Sequence, residues 1–84
     1  MKLNLVDDDD LLLNKGDAMA YFNSELGWEQ LMIVCPQCGK KSGSRGKHRF
    51  NKATLSYTQS IVNDVKYGGC GWHGYLMNGE FTAC

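Results

Sequence analysis

Hydrophobic and polar residues change their spacing along the chain, and each spacing predicts a different element. Between residues 17 and 27, apolar residues recur four positions apart, which predicts an amphipathic helix that begins at an N-capping Asp17 and ends at Gly27. Segment 28–34 is dense in large apolar and β-branched residues and predicts a central strand. From 54 to 61, apolar and hydroxyl-bearing side chains alternate, as in a half-exposed antiparallel strand.

The last third of the chain adds further strands. Segment 65–69 predicts a short strand, and Asn78-Gly79 between the apolar segments 75–77 and 80–82 is a strong signal for a two-residue hairpin. Together these patterns predict an α+β fold, in which an N-terminal helix packs on a three-stranded antiparallel sheet that is extended by a C-terminal hairpin.

A chain of 84 residues allows one small domain, 1–84, with a marginal core. An acidic segment and the helix would occupy 1–27, and the sheet 28–84. Residues 1–6 lead directly into aspartates without a signal peptide, and no apolar run is long enough to span a membrane. We therefore expect a reducing, cytoplasmic location, where paired cysteines are usually metal ligands. The alternative is disulfide pairing among Cys35, Cys38, Cys70 and Cys84.

The net charge is zero, but charges of opposite sign are separated along the chain. Seven of the nine acidic residues lie within 7–29, and six of the nine basic residues lie within 40–52. Such positive density predicts either a nucleic-acid interface or a solvated loop that keeps a small protein soluble, and the residues concerned are Lys40, Lys41, Arg45, Lys47, Arg49 and Lys52. Four consecutive aspartates are either a solvated turn or a surface for a basic partner, and these are Asp7, Asp8, Asp9 and Asp10.

Two short motifs carry the candidate chemistry. CPQCG begins at Cys35 and CGWHG begins at Cys70. Each motif holds two metal-ligating residues that are separated by two others, and each is followed by a glycine, which lets backbone amides approach the sulfurs. This arrangement suits a tetrahedral Zn²⁺ bound by three thiolates and one imidazole. The predicted ligands are Cys35, Cys38, Cys70 and His73.

These residues resemble a zinc ribbon, in which two knuckles of CxxC type, each fed by a strand, lie above a three-stranded sheet. The segment CPQCGKK is close to the usual first knuckle of that family, and YGGCGWHGYL resembles its usual ending. However, Tyr67 stands where the family has a cysteine. In the preferred register, Cys70 and His73 form the second pair, as a CxxC…CxxH variant. In the other, Cys70 is the last ligand, and His48 or Cys84 supplies the fourth.

Zinc ribbons occur in transcription factors, RNA polymerase subunits, ribosomal proteins, primases, and small regulators of phages and plasmids. The resemblance therefore implies nucleic acid, or a transcription or replication complex, as the partner. The sequence contains no His-x-Glu pair to serve a catalytic zinc, so we expect a non-catalytic regulator rather than an enzyme. The leading expectation is contact with nucleic acid through the basic loop, 40–52. The alternative is a protein-binding adaptor or inhibitor of phage or plasmid type that acts through Asp7 to Asp10.

Overall fold

The computed structural model of the chain describes residues 1–43 and 46–84, and these residues form three separate β-sheets. The first sheet has the order β1-β2-β3-β4 and contains β1 (Asn4–Val6), β2 (Asp17–Asn23), β3 (Trp28–Val34) and β4 (Lys41–Ser42). The second sheet pairs β5 (Phe50–Asn51) with β6 (Ser56–Tyr57). The third contains β7 (Ile61–Val62), β8 (His73–Met77) and β9 (Glu80–Ala83). Within these sheets only the pairing of β1 with β2 is parallel.

The predicted N-terminal helix is wrong, and so is the α+β class that depends on it. The segment is strand β2, which runs antiparallel to β3 with Ala18 opposite Ile33. Gly27 lies in the hairpin turn at φ +81°, and its amide donates to the Asn23 carbonyl at 2.8 Å. Among the described residues, the only helical segments are two 3₁₀ turns of three residues each, Asp9–Leu11 and Val65–Tyr67.

Pairing with β3 explains why the four-residue spacing fails to form a helix. A helix of about ten residues is marginal in water, whereas a neighbouring strand satisfies the backbone groups along the whole segment. Ala18 is fully buried and Ala20 packs against the core, as expected for alternating positions of one strand face. Phe22, one of the apolar residues whose four-residue spacing predicted the helix, is 65% exposed.

Two of the other strand predictions are confirmed. β3 is an interior strand between β2 and β4, and the hairpin of β8 with β9 turns at Asn78 and Gly79, whose φ angles are +51° and +74°. The strand predicted over 54–61 is interrupted: it contains all of β6 but only the first residue of β7. Segment 65–69 begins with a 3₁₀ turn and is not a strand.

The buried core lies where the three sheets meet. It consists of Ala18, Leu31, Ile33, Phe50, Tyr57, Leu76 and Phe81. The Leu31 amide donates to the Tyr57 hydroxyl at 3.0 Å, which joins the first sheet to the second. The Leu3 amide donates to the Gly79 carbonyl at 2.8 Å, which joins the start of the chain to the third sheet. No helix in the described part of the chain has the length and apolar character needed to cross a membrane.

Asp17 is a buried carboxylate that fixes the start of β2. It accepts hydrogen bonds from the Asn4 side chain at 2.9 Å and from the backbone amides of Leu13 and Asn14 at 3.1 and 2.8 Å. The bond from Asn4, followed by that from Asn14, lowers the pKa of Asp17 below its ordinary value, although burial acts in the opposite direction. The carboxylate is therefore ionised at neutral pH and ties β1, β2 and the loop before β2 together.

Asp17→Asn should lower the free energy of unfolding by about 1–3 kcal/mol, because one amide oxygen replaces two carboxylate oxygens that accept these bonds. The depressed pKa means that the contribution is fully present above about pH 4 and is lost as the pH falls through the lower folded value. Denaturant unfolding at neutral pH measures the loss. Asp10→Asn alters an exposed carboxylate and is the control. An equal effect of both substitutions would contradict the assignment.

Candidate metal centre

Three cysteines bring their sulfur atoms together at the junction of the first and third sheets. The Sγ atoms of Cys35, Cys38 and Cys70 all lie within 4.8 Å of one another, and those of Cys35 and Cys70 are 3.6 Å apart. All three are free thiols. Two sulfurs bound at about 2.3 Å to a tetrahedral zinc ion are separated by about 3.8 Å, close to this spacing. These cysteines are therefore positioned to hold a metal ion.

Hydrogen-bond donors face these sulfurs. Asn63, which is 9% exposed, directs Nδ2 at Cys38 Sγ and at Cys70 Sγ over 3.3 and 3.5 Å. The backbone amide of Gln37 donates to Cys35 Sγ at 3.4 Å. Donors of this kind stabilise the thiolate, which is the form of cysteine that binds metal.

The thiols influence one another's ionisation. Burial raises the pKa of Cys70, but hydrogen bonds from the Trp72 amide, the two other thiols and Asn63 outweigh it and lower the pKa to about 7. For Cys38, a hydrogen bond from the Lys40 amide lowers the pKa, but desolvation and the neighbouring thiols dominate and raise it. One thiolate thus opposes the formation of the next. A divalent cation relieves this opposition and allows all three sulfurs to ionise.

The end of the hairpin formed by β3 and β4 has the backbone hydrogen bonds of a tight knuckle. The Cys35 amide donates to the Lys40 carbonyl at 2.9 Å, and the Gly39 amide donates to the Cys35 carbonyl at 3.0 Å. Gly39 has φ +79°, a left-handed conformation that glycine adopts without steric cost. This turn directs both of its cysteines toward the centre.

The end of the hairpin formed by β7 and β8 repeats the same two hydrogen bonds. The Asn63 amide donates to the Trp72 carbonyl at 2.8 Å, and the Gly71 amide donates to the Asn63 carbonyl at 2.7 Å. Gly71 is also left-handed, at φ +86°. Asn63 therefore occupies the position of the first cysteine of a knuckle, and Cys70 occupies that of the second. Sequence analysis missed Asn63, because it lies too far from Cys70 along the chain for a CxxC spacing to reveal it.

The structure brings together three of the four predicted ligands. His73 is the exposed first residue of β8 and is not part of the thiol cluster. In the other register, His48 and Cys84 were the candidates. His48 Nδ1 lies 2.8 Å from the Thr58 carbonyl oxygen and its ring stacks on Tyr57, while Cys84 is exposed at the end of the chain. Neither residue belongs to the cluster. Coordination by His73 stays a prediction.

Two residues of the predicted basic interface lie close to acidic side chains. Lys41 Nζ is 3.4 Å from Asp9 Oδ1. Lys52 lines a groove together with Asp7 and Glu29. The pair with Asp9 therefore reduces the positive charge that Lys41 can offer to a partner.

The remaining residues of the predicted basic interface have different surroundings. The Arg49 guanidinium lies 5.7 Å from the centroid of the Trp28 ring, in a cation–π contact. Lys47 is exposed, and Arg45 lies outside the described residues. The side chain of Lys40, which lies at the end of the first knuckle, extends to the backbone of Tyr67 near the second.

A second group of cationic and aromatic side chains lies beside the centre. Lys66 Nζ is 5.8 Å from the centroid of the Tyr67 ring, and Lys40 Nζ donates to the Tyr67 carbonyl at 3.1 Å. The Tyr67 residue is 50% exposed. Neither residue was among the predicted site residues, because Lys66 lies outside the basic segment 40–52 and Tyr67 was considered only as a departure from the zinc-ribbon pattern.

Comparison of the chain with protein-family models, with curated proteins and with solved structures finds no match. The resemblance to a zinc ribbon therefore depends on the two hairpin ends and their cysteines. What the geometry establishes is coarser than membership of that family: Cys35, Cys38 and Cys70 are placed to hold a metal ion.

Proposed function

We propose that this chain is a small, non-catalytic zinc-binding protein that contacts nucleic acid, or a transcription or replication complex assembled on it. The observation that carries the proposal is the cluster of three cysteine sulfurs between two hairpin ends. Thiolates favour zinc over magnesium or calcium, which prefer oxygen ligands. Tight turns that present cysteines in this way are typical of structural zinc sites.

Short strands support a structural role for the metal. β4 and β7, which flank the two knuckles, contain two residues each. Ladders of this length contribute little stability on their own, and a chain of this size has a small core. A metal ion bound by Cys35, Cys38 and Cys70 would therefore clamp the first sheet to the third.

Removal of the metal should unfold the protein, because the thiolates then repel one another and the clamp is lost. Circular dichroism before and after chelation, with native mass spectrometry to count bound zinc, measures both effects. Cys70→Ser should lower zinc affinity at least about a hundredfold. Cys84→Ser, which alters an exposed cysteine outside the cluster, should bind zinc as the wild type does. A chain that stays fully folded without metal would contradict the structural role.

The side chains of Lys40, Lys66 and Tyr67, here called the knuckle surface, support contact with nucleic acid. An exposed tyrosine ring can stack on an unpaired base, and neighbouring lysines can neutralise phosphates. Because the net charge is zero, such contact must come from local charge. The metal would fix the shape of this surface, since Cys38 and Cys70 flank it along the two hairpin ends.

Lys66→Glu and Tyr67→Ala should each weaken binding to a labelled single-stranded oligonucleotide of about 16 nucleotides. Fluorescence anisotropy at several salt concentrations measures the affinity. Loss of one phosphate contact should reduce the salt slope by about one, whereas loss of the ring should leave the slope unchanged. Lys2→Glu is the control, because the backbone of Lys2 pairs with that of Glu80 at the far end of the β8–β9 hairpin. Equal losses for Lys2→Glu and Lys66→Glu would contradict the knuckle surface.

The acidic N-terminal segment supports a second candidate function, a protein-binding adaptor or inhibitor. Asp7, Asp8, Asp9 and Asp10 are all exposed. Leu11 and Leu13, which follow them, are 47% and 73% exposed, so the segment combines negative charge with apolar side chains. A protein surface that is basic and apolar would complement it.

Asp7→Lys combined with Asp10→Lys tests this candidate, since neither change removes the Asp8 cap of the 3₁₀ turn or the pair of Asp9 with Lys41. The adaptor function predicts that a protein partner co-purifies with the wild type and with Lys66→Glu but not with the double variant. Quantitative mass spectrometry of captured proteins provides the measurement. Capture that depends on Lys66 but not on the aspartates would reject the adaptor function.

A further inference from the structure

We propose that Asn63 is the fourth ligand of the metal and coordinates it through Oδ1. The centre would then consist of three thiolates and one neutral amide oxygen, in place of the predicted histidine. This inference depends on the metal binding proposed above and deepens it. It is supported by the backbone of the two hairpin ends, by the position of the Asn63 amide, and by the surroundings of His73.

The backbone places Asn63 where a knuckle has its first ligand. Both its amide and its carbonyl make the hydrogen bonds that Cys35 makes in the first knuckle, with lengths of 2.8 and 2.7 Å against 2.9 and 3.0 Å. The strands that lead to the two positions also correspond, since Val34 pairs with Lys41 and Val62 pairs with His73 directly before each knuckle. A ligand at position 63 completes two equivalent pairs around the metal.

The end of the Asn63 side chain lies at ligand distance from two of the three sulfurs, those of Cys38 and Cys70. With metal–sulfur bonds of about 2.3 Å and a metal–oxygen bond of about 2.1 Å, the fourth corner of a tetrahedral site is about 3.6 Å from each sulfur. The Asn63 Nδ2 atom is 3.3 Å from Cys38 Sγ and 3.5 Å from Cys70 Sγ. A half-turn of the amide about χ2 exchanges Nδ2 with Oδ1 at this place. Only the oxygen has a lone pair to offer a cation, so it would face the metal.

Packing around Asn63 holds it in this position. A Cβ atom on Gly69 would lie 2.3 Å from both the backbone oxygen and Oδ1 of Asn63, so a glycine at 69 is required for the chain to pack this closely against residue 63. Asn63 also lines a cavity of about 260 Å³, together with Cys35. His73, by contrast, corresponds to Lys41 in the first hairpin, one residue beyond the knuckle, and its side chain is exposed.

An amide ligand makes the centre different from a four-cysteine site. Three thiolates and one neutral oxygen around a divalent cation carry a net charge of about −1, compared with about −2 for four thiolates. The amide oxygen is also a harder and weaker ligand for zinc than a thiolate. We therefore expect Asn63→Cys to convert the centre into a four-cysteine site that binds metal more tightly.

Cobalt(II) titration under reducing conditions tests this assignment, because thiolate-to-cobalt absorption reports the number of bound sulfurs. Asn63→Cys should raise that absorption by about one third, from three thiolates to four. Ser24→Cys adds an exposed thiol in the turn between β2 and β3, at the opposite end of β3 from Cys35, and should leave the absorption unchanged. Asn63→Ala should weaken zinc binding about tenfold or more in a chelator competition, and Asn63→Asp, which keeps an oxygen in place, should restore it.

The alternatives give different results in the same experiment. If His73→Ala, His48→Ala or Cys84→Ser changes the cobalt spectrum while Asn63→Ala does not, Asn63 is not the ligand, although the metal centre itself stands. If the wild type binds neither cobalt nor zinc, the metal centre fails and this inference fails with it. If both Asn63→Ala and Asn63→Asp bind zinc as tightly as the wild type, the assignment is also overturned.

Discussion

The structure depends on one electrostatic constraint, the crowding of three thiols at the junction of two sheets. The sulfurs of Cys35, Cys38 and Cys70 are so close that ionising one opposes ionising the next, as the opposite pKa shifts of Cys38 and Cys70 indicate. A bound cation attracts all three thiolates and so offsets the repulsion between them. The strands around the centre are too short to hold the sheets together through backbone hydrogen bonds alone, which explains why a small chain would use a metal at this place.

The sequence predicted those parts of the fold whose signals are local. The dense apolar run of β3 and the Asn78-Gly79 turn are each determined by neighbouring residues in the sequence, and the structure contains both. The segment that forms β2 fits a helix equally well in isolation, with Asp17 as its cap and Gly27 as its end. Long-range pairing with β3 decided its conformation, and a single-sequence pattern does not report such pairing. In the structure, Asp17 fixes the start of strand β2 and Gly27 lies in the hairpin turn that follows it.

The metal centre was predicted only in part, because one of its positions also depends on the pairing of strands. The cysteines of the first knuckle are separated by two residues, so their spacing alone revealed them, and Cys70 followed from its glycine-flanked motif. The position of Asn63 is set by the register of β7 with β8, and the long turn that separates it from Cys70 hides its equivalence to Cys35. Asparagine is also an unusual metal ligand, so its residue type gave no signal for the role proposed for Asn63. The backbone hydrogen bonds show that the two hairpin ends are equivalent, although Cys35 and Asn63 are different residue types.

X-ray absorption at the zinc edge of the metal-loaded protein tests the central claim most directly, because it counts the sulfur and the lighter atoms bound to the metal. The account predicts three sulfur atoms at about 2.3 Å and one oxygen at about 2.0–2.2 Å, with no sign of an imidazole ring in the outer shells. Two or fewer sulfurs would show that Cys35, Cys38 and Cys70 do not bind one ion together. Four sulfurs, or a distinct imidazole contribution, would contradict an amide oxygen at the fourth position.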